Sequence, residues 1–566
     1  MIFAALRQSI ADRSLLPSLR VNLLAGLTVG IVALPLSMGL AIASGVAPQH
    51  GLYTAIVGGI VIALTGGSRV NISGPTAAFV VVLLPVVHQF GLGGLLLSGA
   101  MAGVMLILFG LTRLGRLIRI VPYPVIIGFT SGIGVVIAFL QLKDFLGLKP
   151  QGEAVHFVES ALLLVRALPG FQWQECAIGA LTLAVLVGWK RLHSRIPSYL
   201  VALLVGAFVA AALNASALAP PIETIASRFS YAIDGATGAG IPPLAPELIM
   251  PWDQPGPDGQ PLGVSLELIR ILLGAAFSIA VLGALESLLC AVVADGMSGF
   301  RHDPDGELIG QGLGNIAVAF LGGIPATAAI ARTATNVRSG ATTPLAAVIH
   351  GVVVLLSMLL FARWLGYIPM AAMAAVLMMV AWNMSEAHHA WRILKRAPRA
   401  DAAVFLTCFL LTVVIDMQVA VAGGLVLASV LFIRRMAELT GTAVLRPGSH
   451  EHERGAGPGV VIYDIDGPLF FGAAHKALKV ISAIDDGVHT VVLDFADVNL
   501  LDATAMINIG SIGEELAARK VGVALLHVKP RLVAKMRRFG LLDDPAGLRL
   551  IDSLAQLGDP AASAAR

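Results

Sequence analysis

The chain has 566 residues, 57% of them hydrophobic and 13% charged, with a mean hydropathy of +0.84, a balance far outside that of soluble globular proteins. The formal net charge of +3 is small and spread along the chain, so neither nucleic acid nor an acidic surface is implied as a partner. Cys176, Cys290 and Cys408 all lie in apolar runs and give neither a disulfide framework nor a metal spacing; no cofactor is expected.

Segment 1–21 has no apolar core followed by a small-residue cleavage site, so no removable signal peptide is read there. At about 20 apolar residues per span, and fewer for broken ones, candidate spans fall at 22–45, 51–66, 75–90, 92–112, 121–141, 174–190, 197–215, 265–292, 309–322, 326–338, 343–362, 366–382, 401–416 and 418–434. These fourteen divide into repeat one (about 22–215) and repeat two (about 265–434) of a transporter domain, 22–435. Seven spans per half insert the second half upside down relative to the first. Basic clusters lie at Arg7, Arg13 and Arg20, at Arg113, Arg116 and Arg119, at Lys190, Arg191 and Arg195, at Arg392, Lys395, Arg396 and Arg399, and at Arg434 and Arg435. All five share one side if both termini are cytoplasmic. The stretch 217–263, with Glu223, Asp234, Glu247, Asp253 and Asp258 against Arg228, then lies outside as a folded or wandering loop.

The third span of each half is broken in the same way, by "SGPTAAF" from Ser73 and "GIPATAAIA" from Gly323. Gly and Pro disfavour helix before the break, and Pro is tolerated in a first helical turn, so each stretch reads as an extended approach followed by a half-helix starting near the bilayer midplane. Unsatisfied N–H groups are tolerated there only where they line a cavity or meet a ligand. Interrupted spans at matching positions of two inverted halves point to a transporter's binding site, and two facing helix N-termini make it an anion site. Within the apolar runs, Glu286 and Arg332 are costly charges that point to a polar cavity. His350 reads as a packed hydrogen-bonding group, His88 as interfacial, and Asn315 and Asn336 as supports for backbone freed around the second break.

From about 436 to 558 the runs shorten and charges become frequent. "GVVIYDIDG", "TVVLDFADV" and "GVALLHV" read as strands, with "AAHKALKVISAI" and "AMINIGSIGEELAARK" as amphipathic helices, a mixed α/β domain on the cytoplasmic side. Residues 559–566 read as a disordered tail. No Walker A pattern, metal cluster or nucleophile–base pair argues for an enzyme.

The motifs "ALPLSMGLAIASGVAPQHGLY", "NISGPTAAF" and "GGIPATAAIARTATNVRSGATTP" resemble those of the SulP sulfate permeases, the superfamily of the solute carrier 26 anion transporters, and the C-terminal segment resembles a STAS domain. Within that family, "LGALESLLCAVVADGM" and "MMVAWNMSEAHHAWRIL" look most like the bacterial DauA-type C4-dicarboxylate branch. The resemblance implies a polytopic α-helical protein of seven-plus-seven inverted repeats, forming core and gate domains in a homodimer. It implies residence in a bacterial inner membrane and elevator-type uptake of succinate, fumarate or related acids. The anion would touch Thr76, Ala77 and Ala78, and Thr327, Ala328, Ala329, Ile330 and Arg332, with Leu36, Leu40 and Phe79 as an apolar wall. Where STAS domains often carry Asp-Ser-Ser-Gly this chain has Asp502, Ala503, Thr504 and Ala505; Thr504 keeps one hydroxyl, and the domain is expected to scaffold the dimer and dock a cytoplasmic protein.

Helix ends of about +1 in total, Arg332 at +1 and ionised Glu286 at −1 offer a dicarboxylate only about +1. At about 8 Å and an effective dielectric near 20, Glu286 repels a dianion by roughly 4 kcal/mol, so binding should draw a proton onto it; Glu286 is the expected proton-coupling residue. The alternatives are sulfate, bicarbonate or chloride moved by symport or exchange, with Na+ as coupling ion, and a sensor that signals through the STAS domain.

Overall fold

In the computed structural model, which describes residues 2–116, 121–152, 157–192, 196–216, 220–233, 236–415, 417–439, 441–445, 459–470, 487–542 and 548–558, every one of the fourteen expected apolar segments contains a helix. Arg119, Arg195, Asp234, the stretch "AAHKALKVISAI" and the tail 559–566 lie outside the described residues. The chain forms two units, Met1–Leu425 and Val426–Arg566. The first and the helix that leaves it contain α1 (Ala4–Ala11), α2 (Leu19–Ala43), α3 (Pro48–Thr65), α4 (Ala77–Leu111), α5 (Tyr123–Leu140), α6 (Leu142–Phe145), α7 (Phe157–Ala167), α8 (Trp173–Arg191), α9 (Ser198–Ser216), α10 (Ile225–Arg228), α11 (Leu266–Ser298), α12 (Pro304–Phe320), α13 (Ile330–Arg338), α14 (Leu345–Leu365), α15 (Met370–Met384), α16 (Ala387–Arg396), α17 (Arg399–Val414) and α18 (Met417–Leu439). Among the described residues, eight helical segments are long and apolar enough to cross a membrane; the others are shorter or carry more polar residues.

Several boundaries differ from the sequence reading, each for a local reason. Spans 75–90 and 92–112 are one helical run, α4, which changes direction at Gly91 (φ 66°); a Cβ there would meet Pro255 O at 2.5 Å, so glycine is required. Helix α12 begins at Pro304 rather than 309, because Asp303 caps it by accepting from Gly306 N at 3.2 Å, and its polar first turn has no apolar signal. Helix α13 begins at Ile330, since Thr327–Ala328 form a short strand.

Among the described residues, four strands belong to the first unit: β1 (Ser73–Gly74), β2 (Ser230–Ile233), β3 (Ala236–Ala239) and β4 (Thr327–Ala328). The pair β1–β4 is antiparallel, as is the hairpin β2–β3. The acidic stretch after α9 is folded: Ile225 N and Ala226 N donate to Ile368 O and Gly366 O at 3.0 and 2.9 Å. Arg228 bonds Asp144 at 2.8 Å and also Glu223, and its hydrogen bond holds the Glu223 carboxyl below the usual range.

Lipid tails offer no hydrophobic drive between helices, so helices approach where side chains are smallest. Helices α4 and α12 cross backbone to backbone: a Cβ on Gly103 would lie 2.7 Å from Gly312 O, and one on Gly312 would lie 2.5 Å from Gly103 O. Helices α2 and α3 do the same at Gly51, whose Cβ would fall 1.9 Å from Ser37 O.

In the second unit the sheet order is β5-β6-β7-β8-β9, formed by Gly441–Leu445, Val460–Asp466, Thr490–Asp494, Gly522–Leu526 and Leu548–Ile551. All neighbours are parallel except edge strand β5. Helices α19 (Ala503–Ala518) and α20 (Pro530–Arg538) cover one face, burying Ile509, Leu516, Leu532 and Met536 against Val491, Leu493 and Leu525. The outer strands carry weak alternation and were not read from sequence.

Gly312→Ala is expected to cost about 1–3 kcal/mol, read as a lowered unfolding temperature in detergent, while Gly274→Ala in α11, with nothing within 4 Å of its Cβ, leaves that temperature unchanged.

Candidate functional site

The two broken stretches meet. Ser73 lies opposite Ala328 and Gly74 opposite Thr327. The ribbon is extended by side chains and caps: Ala329 N donates to Ile72 O at 2.9 Å, and Ile72 N donates to Thr333 Oγ1 at 2.9 Å. Helix α4 follows one strand and α13 the other. Their antiparallel pairing sends the helices away in opposite directions, so both positive helix ends converge on the ribbon. Neither Thr76 nor Ala329, the residues preceding the helices, caps the first turn with its side chain. The first-turn N–H groups, Ala77, Ala78 and Phe79 in α4 and Ile330 onward in α13, therefore have no cap from these side chains.

Helix α11 also faces the ribbon. Gly283, Glu286, Ser287 and Cys290 are spaced at i, i+3, i+4 and i+7, one helical face. Gly283 O accepts from Thr327 Oγ1 at 3.1 Å, Glu286 Oε2 accepts from Thr76 Oγ1 at 3.0 Å, Ser287 Oγ and Thr327 Oγ1 share a hydrogen at 2.7 Å, and Cys290 Sγ lies 3.2 Å from Thr333 Oγ1. Sequence reading found Glu286 and missed Ser287, although the spacing within "GALESLLC" carried the signal. Because Thr327 is a strand residue with its hydroxyl already engaged, it buttresses the ribbon, and Ala328 lies beside it with its N–H directed at Ser287 Oγ at 3.4 Å.

Arg332 crosses between the halves. Its Nη2 donates to Pro75 O, and Nη1 lies 2.6 Å from where a Gly74 Cβ would stand. The side chain is 3% exposed and Nη1 has no hydrogen-bond partner. The cation thus sits at the start of the opposite half-helix, beside Thr76 and Glu286. Thr76, Glu286 and Ala329 are half-buried and Ile330 is 45% exposed, so these form the accessible lip, with Thr327, Ala328, Ser287 and Arg332 behind it. Leu40 and Phe79 pack in one apolar cluster and Leu36 in a neighbouring one.

Asn315 braces the second break: Nδ2 donates to Ala326 O at 2.9 Å and Oδ1 accepts from Ala326 N at 2.8 Å. Asn336 instead reaches Val70 O at 2.8 Å, before the first break. The residue that holds that approach was not read from sequence at all. Glu307, 1% exposed, accepts from Gly67 N and Ser68 N at 3.0 Å each, from Asn71 Nδ2 at 3.1 Å and from Gln311 Nε2 at 3.3 Å; Gln311 also donates to Ser73 Oγ at 3.0 Å. It stands in the polar first turn of α12, where hydropathy placed a loop.

His350 is fully buried behind the ribbon, near Gly59 and Ser73 O, and His88 is exposed in α4 before Gly91. In the second unit, Asp502 caps α19 by accepting from Ala505 N at 2.8 Å, and Thr504 is exposed in its first turn.

Comparison with known proteins gives one consistent result. A profile of the Sulfate permease family matches residues 19–408, and one of the STAS domain matches 456–557. YvdB of Bacillus subtilis (strain 168), provisionally named a sulfate transporter, is 41% identical over 87% of this chain and 88% of its own length. The bicarbonate transporter BicA of Picosynechococcus sp. is 32% identical over 88% of this chain and 87% of its own length. Among solved structures, that of SLC26A9 superposes with a TM-score of 0.82 over 96% of this chain and 91% of the other, at 16% identity, a likeness of fold.

Glu307→Gln would turn an amide NH2 towards two of the four donors. It is expected to cost about 2 kcal/mol or more, seen as a lower unfolding temperature together with slowed anion uptake.

Proposed function

The chain belongs to the sulfate permease family, a family of multi-pass membrane anion transporters, and from that premise we propose that it carries a small inorganic anion, bicarbonate or sulfate, held at the β1–β4 ribbon and coupled to protons through Glu286. The observation that supports this reading is the pair of uncapped half-helix N-termini flanked by Arg332 and by the Thr76–Glu286 hydrogen bond.

Charge distinguishes the cargoes. Two helix ends at roughly +0.5 each with Arg332 and ionised Glu286 leave about +1, which matches bicarbonate as it stands. Sulfate, with two charges, is matched when Glu286 is protonated. The C4-dicarboxylate expectation gives way to this one: YvdB and BicA carry sulfate and bicarbonate names.

Transport follows by alternating access, the ribbon moving with the helices that brace it. A proton on Glu286 neutralises the one negative group at the lip and still leaves the carboxyl able to bond Thr76.

In proteoliposomes containing only this protein, labelled sulfate uptake is expected to rise several-fold with an inward proton gradient. Glu286→Gln should keep sulfate binding and lose the gradient stimulation, with bicarbonate uptake far less sensitive to the gradient. Succinate uptake in the absence of sulfate and bicarbonate uptake would refute the inorganic-anion reading.

A further inference from the structure

Helix α16 joins α15 to α17, two helices of the membrane unit, and its ten residues sort into three stripes. Ile393 is buried against Ile127 and Phe405, with Ala390 beside them. The neighbouring stripe presents Trp391 and Leu394, 59% and 46% exposed. The third carries His388, Arg392, Lys395 and Arg396, all exposed. Lys395 Nζ lies 4.4 Å from the centre of the Trp391 ring, and Arg392 Nη2 lies 2.9 Å from His388 Nε2. Exposed Trp382 stands near the end of α15, and Arg399 opens α17.

A helix packed on protein along one stripe, apolar on the next and cationic on the third has the order of surroundings found at a bilayer surface: protein, acyl boundary, headgroups. Exposed tryptophans belong at that depth. The chain on either side enters the membrane, so the bilayer is the surface that covers Trp391 and Leu394. Three cations within five residues, one stacked on the indole, are complementary to a phosphate. We infer that α16 is a binding site for anionic phospholipid, with Trp391 and Leu394 seated on the acyl boundary and Arg392, Lys395 and Arg396 on the headgroup phosphate. Glu386, next to the helix start, engages His389 at 2.9 Å, whose ring lies 6.1 Å from that of His388, so one carboxylate borders the three cations. The inference is independent of which anion is carried.

The test uses the full-length protein in phosphatidylcholine vesicles with and without phosphatidylglycerol. Lipid co-purifying per chain is counted by mass spectrometry, and uptake is measured in the same vesicles. Each cation at the surface contributes roughly fivefold, so Arg392→Gln/Lys395→Gln/Arg396→Gln should retain on the order of a hundredfold less phosphatidylglycerol and lose its effect on uptake. Its unfolding temperature and uptake in pure phosphatidylcholine should match the unaltered protein, and Lys395→Gln alone should fall between. Glycerol phosphate in solution should not compete. Equal phosphatidylglycerol retention by variant and unaltered protein, equal retention of phosphatidylcholine, or competition by soluble phosphate would overturn the inference.

Discussion

A backbone amide buried in a bilayer has no water to turn to, and every feature of the transport unit follows from how two unwound segments meet that demand. Strands of two residues each satisfy one another across β1–β4. Ile72, Ala329 and Thr333 extend the pairing by one residue, Asn315 and Asn336 close the flanking groups, and Glu307 gathers the turn that leads into β1. What the network leaves open is the first turn of each half-helix. The proposed anion site is that opening, located where two helix ends converge.

The charged side chains act on that remainder with opposite sign. Arg332 is donated by one half to the helix start of the other, so its share of the site's positive potential exists only when the halves are assembled. Glu286 reaches the same helix start from α11 through Thr76. With a cation behind the ribbon and a carboxylate at its lip, the proposed proton on Glu286 would give a single binding geometry two charge states. The surrounding glycines serve rigidity: at Gly103–Gly312 the backbones of α4 and α12 touch, so the half-helix and its brace share one frame.

Most of this architecture could be read from the amino acids because membrane helices and their breaks have strong local signatures. Apolar run length gave the helices, and the matching Gly–Pro breaks gave the two segments that meet at the centre. What escaped were the features that depend on partners far away in the chain. Thr327 and Ala328 look like a helix start until Ser73 and Gly74 pair with them. Glu307 looks like a loop carboxylate until four donors from α12 and the β1 approach surround it. Ser287 is one small polar residue in an apolar helix until Thr327 faces it. In the second unit the central strands were legible by alternation, and the two edge strands, β5 and β9, were not.

The ribbon also imposes a timetable on synthesis. Ile72 finds Thr333 261 residues downstream; at roughly 5–20 residues per second, the first segment waits on the order of tens of seconds for its partner. During that interval the first half sits in the membrane with an unwound strand whose hydrogen bonds are unmet, and no amount of local folding can complete it. A ribosome that stops between the halves leaves that strand without the partner that only the second half supplies.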